Sequence, residues 1–243
     1  MKQQLTFSKG MRDGLPVALG YISIAFAFGM LSVSKGLPVW APILISLTSF
    51  TGTGQFAGMD LIALTAGFAE IACTILVINL RYMLLSLSLL QKLEERISLP
   101  KRLLIAFGNA DEIYAVAMRQ EGFLPFRYMM GIILCAYSGW VSGTVLGALA
   151  GNLLPASVLS AMGIALYAMF VALIVPPSRD SRPVLKVVLL ALGLSVFFRV
   201  TPGLKNLSSG WVIILCGVIS SGIGALIFPV GKDTPNNEPG GAA

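Results

Sequence analysis

The sequence predicts an all-α polytopic membrane protein with about six full transmembrane helices and two further re-entrant or broken helical segments. Of its 243 residues, 56% are hydrophobic and only 12% are charged, and the mean hydropathy is +0.84. A bilayer core about 30 Å thick requires roughly 20 apolar residues per helix, and such stretches cover most of the chain. We therefore expect one transmembrane transporter domain over residues 1–230, followed by a disordered cytoplasmic tail, 231–243.

The first two segments differ in kind. Residues 14–34 are uncharged and predict one span. Segment 38–66 is too long for a simple crossing, because about 29 helical residues would extend about 43 Å. Its middle contains glycines, hydroxyls and an amide, which favours two half-helices that meet at an unwound turn; these residues are Thr51, Gly52, Thr53, Gly54 and Gln55.

Two later segments carry charge where a lipid-facing helix would not. Segment 69–90 has Arg81 near its centre, and segment 103–118 has Asp111 and Glu112 between apolar stretches. Burying such carboxylates in lipid would cost about 2.5–3.5 kcal/mol each. Segment 103–118 is therefore expected to face protein or water.

The remaining spans contain no charged or broken stretch near their centres. Residues 128–178 contain no charge and are divided by Gly151-Asn152 into two spans, and two more are predicted at 184–200 and 209–230. Gly143, Gly147 and Gly151 recur every four residues, a pattern suited to helix packing, either within the chain or against a foreign helix.

Basic residues decide between two topologies. If every segment crosses, the cytoplasmic side collects nine Lys and Arg against seven outside. If segments 38–66 and 103–118 each return to their own side, the split is thirteen against three, which fits the positive-inside rule far better. We therefore expect a multi-pass protein of the bacterial inner membrane with both termini in the cytoplasm.

Composition also limits the chemistry. The chain has no histidine, which excludes Ser-His nucleophile pairs and zinc motifs of the HExxH type. Cys73, Cys135 and Cys216 lie in separate apolar runs and predict packing rather than a metal site or disulfides. The basic residues form short clusters between apolar runs, so no nucleic-acid partner is expected. No nucleophile and base stand at a suggestive spacing, so we expect neither an enzyme nor a cofactor.

Three groups are candidates for binding a small solute. Arg81, with Asn79 two residues before it, could bind a substrate carboxylate bidentately or form a structural ion pair with Asp111 or Glu112. These two acids could receive an ammonium group, carry a coupling proton, or cap a helix near the cytoplasmic surface. The Thr51–Gly58 stretch could bind a carboxylate at the start of the second half-helix, or could pack helices through its glycines.

Four motifs follow one another over about residues 8–120. They are Leu15-Pro16 with Gly20-Tyr21 and Phe26 to Gly29, then Phe50 to Phe56, then Asn79 to Tyr82 with Ser86 and Ser88, and last Asp111-Glu112. Their order and spacing resemble the AzlC family of branched-chain amino acid exporters. The resemblance implies export of leucine, isoleucine, valine or related amino acids, together with a small membrane subunit of the AzlD type.

The chain departs from the family pattern at two places. It has Ser23 and Ala25 where a proline and a glycine are common, and Ala110 where threonine is common. Without that proline and glycine the first span should be straighter and stiffer, which bears on the substrate more than on transport.

The sequence thus favours a secondary transporter for a zwitterionic, apolar amino acid, driven by an ion gradient or a partner because no nucleotide motif is present. The alternative is another small-solute permease or an ion channel, for which the Thr51–Gly54 run would supply a polar filter.

Overall fold

The computed structural model describes residues 5–150, 171, 174–204 and 207–228, and these are helical apart from turns and one isolated bridge, Leu93 to Leu124. The helix bounds are α1 Phe7–Ser34, α2 Trp40–Thr48, α3 Thr53–Ala63, α4 Phe68–Leu90, α5 Leu99–Phe107, α6 Asp111–Met118, α7 Phe126–Ala150, α8 Arg182–Val200 and α9 Ser209–Ile227. Within these residues, α1, α4, α7, α8 and α9 are long and apolar enough to cross a membrane. The prediction of an all-α polytopic membrane protein is confirmed.

The chain divides into two units, residues 1–170 and 171–243. The second unit contains α8 and α9, which pack together where Val187 meets Gly224. The single domain over 1–230 stays a prediction. The span expected between Gly151 and Ser178 lies mostly outside the described residues, and the tail 231–243 lies wholly outside them.

Helices α1 and α7 run parallel in close contact and are the central helix pair of the first unit. Glycines on α7 face the main chain of α1: a methyl group at Gly139 would stand 2.5 Å from the carbonyl oxygen of Ala18, and one at Gly143 would stand 2.5 Å from that of Ile22. Small residues allow such backbone contact in membranes, where dispersion replaces the hydrophobic effect between helices. The predicted glycine stripe, at Gly143 and Gly147, therefore packs against α1, while Gly151 lies outside the described residues.

Because α7 has no room for a side chain at this contact, Gly143→Leu should strongly reduce the amount of folded protein. Gly20→Leu is the matched control, since no described atom apart from its chain neighbours and its own helix backbone lies within 4 Å of where its Cβ would stand. The two variants can be compared by membrane abundance and by size-exclusion chromatography in detergent. Equal yields of both would show that the α1–α7 contact is wrong.

Helices α2 and α3 form a hairpin that enters the first unit from one end. Lys35 precedes α2, and Asp60 lies near the end of α3. The two side chains form an ion pair, with 2.5 Å between Lys35 Nζ and Asp60 Oδ1, so the hairpin begins and ends at the same place. Between these points the Tyr137 hydroxyl of α7 donates to the carbonyl oxygen of Leu47 at 2.8 Å. Helices of 9 and 11 residues are each too short to cross a bilayer core.

Helices α5 and α6 form a second hairpin that enters from the opposite end. Lys92, just after α4, donates through Nζ to the carbonyl oxygen of Met118, the last residue of α6, at 2.7 Å. The amide of Leu124 donates to the carbonyl oxygen of Lys92 at 2.8 Å, so residues 92 and 118–124 lie at the same end of the unit. Segment 99–118 therefore begins and ends on one side, as re-entry requires.

The predicted boundaries need correction at two starts. Helix α1 begins at Phe7 rather than near residue 14, and it includes Lys9 and Asp13, whose side chains pair at 2.9 Å. This i,i+4 pair and the hydrogen bond from the Tyr128 hydroxyl to Asp13, 2.7 Å, let charged residues remain helical. Helix α5 begins at Leu99 rather than at residue 103, because Pro100 suits a first helical turn.

The arrangement predicts that the loops flanking the two hairpins are exposed on opposite sides of the membrane. In a background without native cysteines, Leu64→Cys should react with an impermeant thiol reagent in intact cells. Arg96→Cys should react only after permeabilisation, because the basic loops are expected in the cytoplasm. Reaction of both residues from outside would contradict the second hairpin.

Candidate functional site

The breaks of the two hairpins meet near the middle of α4, at an ion pair. Arg81 of α4 lies 2.9 Å from Asp111, the first residue of α6, measured between Nη2 and Oδ2. Both side chains are half-buried, with 41% and 30% of their surfaces exposed. The ion pair that the sequence offered as one alternative for Arg81 is therefore present.

Arg81 also joins this pair to the α2–α3 break. Its Nη2 lies 3.4 Å from the hydroxyl of Thr53 and 3.2 Å from that of Tyr82, which itself donates to the carbonyl oxygen of Thr51 at 3.3 Å. All of these contacts use Nη2. Among the described residues, the Nη1 and Nε groups of Arg81 make no hydrogen bond.

Glu112 faces a different neighbour. Its Oε2 accepts a hydrogen bond of 2.5 Å from the hydroxyl of Tyr21, a buried residue of α1. The Tyr21 ring packs edge-on against Phe50 and Trp140, with centroids 5.7 and 5.3 Å away. No lysine or arginine pairs with Glu112 within the described part of the chain.

Asp111 and Glu112 occupy the N-terminal turn of α6, where acids are favoured by the helix dipole. This agrees with the alternative that the two acids cap a helix. That alternative also placed them near the cytoplasmic surface, and the structure places them farther from that end. Met118, at the end of the unit, follows Asp111 by seven residues, or about 10 Å along the helix. At this depth Asp111 is partly exposed and Glu112 is exposed.

Gln55 holds the first break together. Its amide nitrogen donates to the carbonyl oxygen of Ile45, 3.2 Å away, and to that of Ser49. Its amide oxygen accepts from the indole nitrogen of Trp140 at 2.8 Å, and the side chain is buried. These bonds tie α2, α3 and α7 to one another.

The backbone of the first break depends on glycine. Gly52, which precedes α3, has a φ of +44°, a region that residues with a Cβ rarely adopt. The amides of Gly54 and Gln55 bond back to the carbonyl oxygens of Thr51 and Gly52. The predicted unwound turn is present at residues 49–52, while Thr53, Gly54 and Gln55 form the first turn of α3.

Two asparagines flank the breaks with unpaired oxygens. Asn79 of α4 packs beside Gly54, and its Oδ1 is buried without a hydrogen-bond partner in the described structure. Asn109, at the α5–α6 break, is 3% exposed and donates to Ser86 at 3.0 Å, but its Oδ1 is likewise unpaired.

The structure brings the predicted residues to one region of the first unit, around α4. Sequence reasoning missed Asn109 and gave Tyr21, Tyr82, Ser86 and Trp140 no place in the site. Tyr21, Tyr82 and Ser86 belong to the motifs that resemble the family, but nothing in their spacing indicated a contact. Among the described residues, no group of three or more Cys, Asp or Glu could hold a metal ion.

The match to a known protein family lies within the first unit of the chain, which contains these contacts. The family model described as AzlC protein matches residues 16–154. The chain is 32% identical to the inner membrane protein YgaZ of Escherichia coli, over 60% of this chain and 62% of that one. It is 35% identical to an uncharacterised membrane protein of Archaeoglobus fulgidus, over 72% of this chain and 78% of that one.

A third relative is the branched-chain amino acid transport protein AzlC of Bacillus subtilis, 23% identical over 57% of this chain and 55% of that one. The chain thus spans less than two thirds of the E. coli and B. subtilis relatives. No solved structure gives a significant match to this chain.

Proposed function

The chain belongs to the AzlC family of membrane proteins, and on that premise we propose that it is a secondary transporter that exports branched-chain or related apolar amino acids across the inner membrane. The family model covers residues 16–154, which include both hairpins and the ion pair. One relative carries branched-chain amino acid transport in its name.

One observation carries the proposal: two hairpins that enter from opposite ends place their breaks at the same half-buried ion pair. Irregular backbone at membrane depth is tolerated only where protein or a water-filled cavity surrounds it. Charged residues at such breaks are typical of solute sites that are reached alternately from the two sides.

The contacts support a division of roles toward a zwitterion. The guanidinium of Arg81 suits a planar carboxylate bound by two parallel hydrogen bonds through Nη1 and Nη2, because Nη1 has no other partner among the described residues. Thr53 lies beside this guanidinium and could donate to the same carboxylate. Glu112, which pairs with no cation in the described chain, is the acceptor for the ammonium group, and the pairing with Asp111 keeps Arg81 in place.

We further propose an AzlD-type small membrane subunit as partner, and cytoplasmic location of both termini. The partner rests on family membership alone, because α1 already covers the glycines at 143 and 147 that were expected to accept a foreign helix. The orientation rests on the distribution of Lys and Arg.

The test is transport in proteoliposomes that contain the full chain with and without an AzlD-type small subunit. Labelled leucine, isoleucine, valine and methionine should show saturable efflux and exchange, with glutamate and lysine as controls of similar size but different charge. Absence of exchange for every apolar amino acid in the presence of the subunit would contradict the proposal. Ion conductance without saturable exchange would favour a channel instead.

A further inference from the structure

We propose that the break between α2 and α3 holds a monovalent cation, Na⁺, bound by Asn79 and Thr51, and that this ion is the coupling ion of transport. The binding site stands on geometry alone. Its coupling role rests on the proposed function.

The first observation is an unsatisfied oxygen. Asn79 Oδ1 is buried, and no group in the described structure donates to it. Leaving a buried acceptor unpaired costs about 1–3 kcal/mol, so such atoms usually bind something that lies outside the protein. A carbonyl oxygen can only accept, which limits its ligand to a cation or a hydrogen-bond donor.

The second observation is a neighbouring oxygen on the broken helix. A methyl group at Gly54 would stand 2.9 Å from Thr51 Oγ1, 3.0 Å from Asn79 Oδ1 and 3.1 Å from Asn79 Nδ2, so both oxygens flank the same side of Gly54 with the amide nitrogen beside them. Thr51 Oγ1 also lies 3.1 Å from the hydroxyl of Ser49. Neutral oxygens of this kind are the ligands that hard cations take, and the absence of a Cβ at Gly54 permits their approach.

Two electrostatic features favour a cation here. The break follows the carboxyl end of α2, which carries partial negative charge, and ends of half-helices bind Na⁺ in this way in membrane transporters. Arg81, which lies 3.4 Å from Thr53 at the start of α3, is neutralised by Asp111 at 2.9 Å and therefore repels a cation less than a free guanidinium would.

An ordered water molecule is the competing occupant, because it could donate to the same oxygen. It differs from Na⁺ in one measurable respect, since its binding does not depend on which salt is present. The same experiment must also separate this break from the α5–α6 break, where Asn109 carries a similar unpaired oxygen.

The test measures the unfolding temperature of the purified full chain in NaCl and in choline chloride at equal ionic strength. We expect Na⁺ to raise that temperature saturably, by about 5 °C or more when its concentration reaches about 100 times Kd. Asn79→Leu and Thr51→Val should abolish the difference between the salts, while Asn79→Asp should keep it because a carboxylate still binds the ion. Asn109→Leu is the matched control and should keep it as well.

Equal unfolding temperatures of the wild type in the two salts would overturn the proposal in favour of water. Loss of the difference in Asn109→Leu but not in Asn79→Leu would overturn it in favour of the other break. Should Asn79→Leu not fold, the nearly isosteric Thr51→Val decides. Amino-acid export that is unchanged without Na⁺ would overturn the coupling role and leave the proposed function intact, whereas a Na⁺ effect without any amino-acid transport would contradict the proposed function alone.

Discussion

Arg81→Lys is expected to lower amino-acid transport roughly 10- to 100-fold while the protein still inserts and folds. Lysine keeps the positive charge opposite Asp111, so the ion pair can persist. It loses the planar fork of the guanidinium, and with it the two parallel hydrogen bonds to a carboxylate. The measurement is the rate of exchange of labelled for unlabelled leucine in proteoliposomes, normalised to the amount of reconstituted protein.

The matched control for this variant is Lys35→Arg, the opposite exchange at the exposed pair with Asp60. A pair at an exposed position contributes little, so transport should stay near wild type. If Arg81→Lys exchanges leucine at the wild-type rate with normal abundance, Arg81 does not bind the carboxylate.

The second expected effect concerns folding. Arg81→Met should sharply reduce the amount of folded protein, because it leaves Asp111 within the unit without a cation. Asp111→Leu should do the same by leaving Arg81 unpaired. The double change, Arg81→Met with Asp111→Leu, removes both charges and should restore abundance, since the two side chains contact each other and their effects are not additive.

The double variant also separates structure from function. It should be abundant and yet inactive, because the group that binds the carboxylate is gone. Membrane abundance and leucine exchange are measured on the same samples of all three variants. Abundant single variants would show that the ion pair contributes nothing to folding, and transport by the double variant would remove Arg81 from the mechanism.

Much of this architecture could be predicted because lipid penalises specific residues. Arg81, Asp111 and the Thr51–Gly54 run are costly or unstable in a plain transmembrane helix, so their presence alone required a partner or a break. The structure places a break at Gly52 and pairs Arg81 with Asp111. Both features follow from desolvation and backbone sterics, which act locally.

The contacts that were missed depend on how distant segments meet. Tyr21 and Glu112 are 91 residues apart, and Gln55 and Trp140 are 85 apart. Tyrosine, tryptophan and glutamine are tolerated at many positions in a membrane helix, so none of them indicates its own partner. Asn109 was not predicted as a site residue, because the charged Asp111 and Glu112 beside it gave the stronger signal. Its oxygen becomes buried and unpaired only in the folded chain.

The glycines on α7 were predicted to pack against a helix, but their partner could not be predicted. Their spacing predicted helix packing correctly, but spacing does not identify the helix that packs there. The structure assigns Gly143 and Gly147 to α1. The proposed partner subunit is therefore expected to bind another surface.

The central claim is that an amino acid binds where the two breaks meet. Thr53→Cys, in a background without native cysteines, places a thiol next to Arg81. A mixture of leucine, isoleucine and valine should slow its reaction with a small permeant thiol reagent, while the reaction of Leu64→Cys, in the exposed turn between α3 and α4, should be unaffected. Equal labelling rates of Thr53→Cys with and without these amino acids, in protein that exchanges them, would contradict the claim.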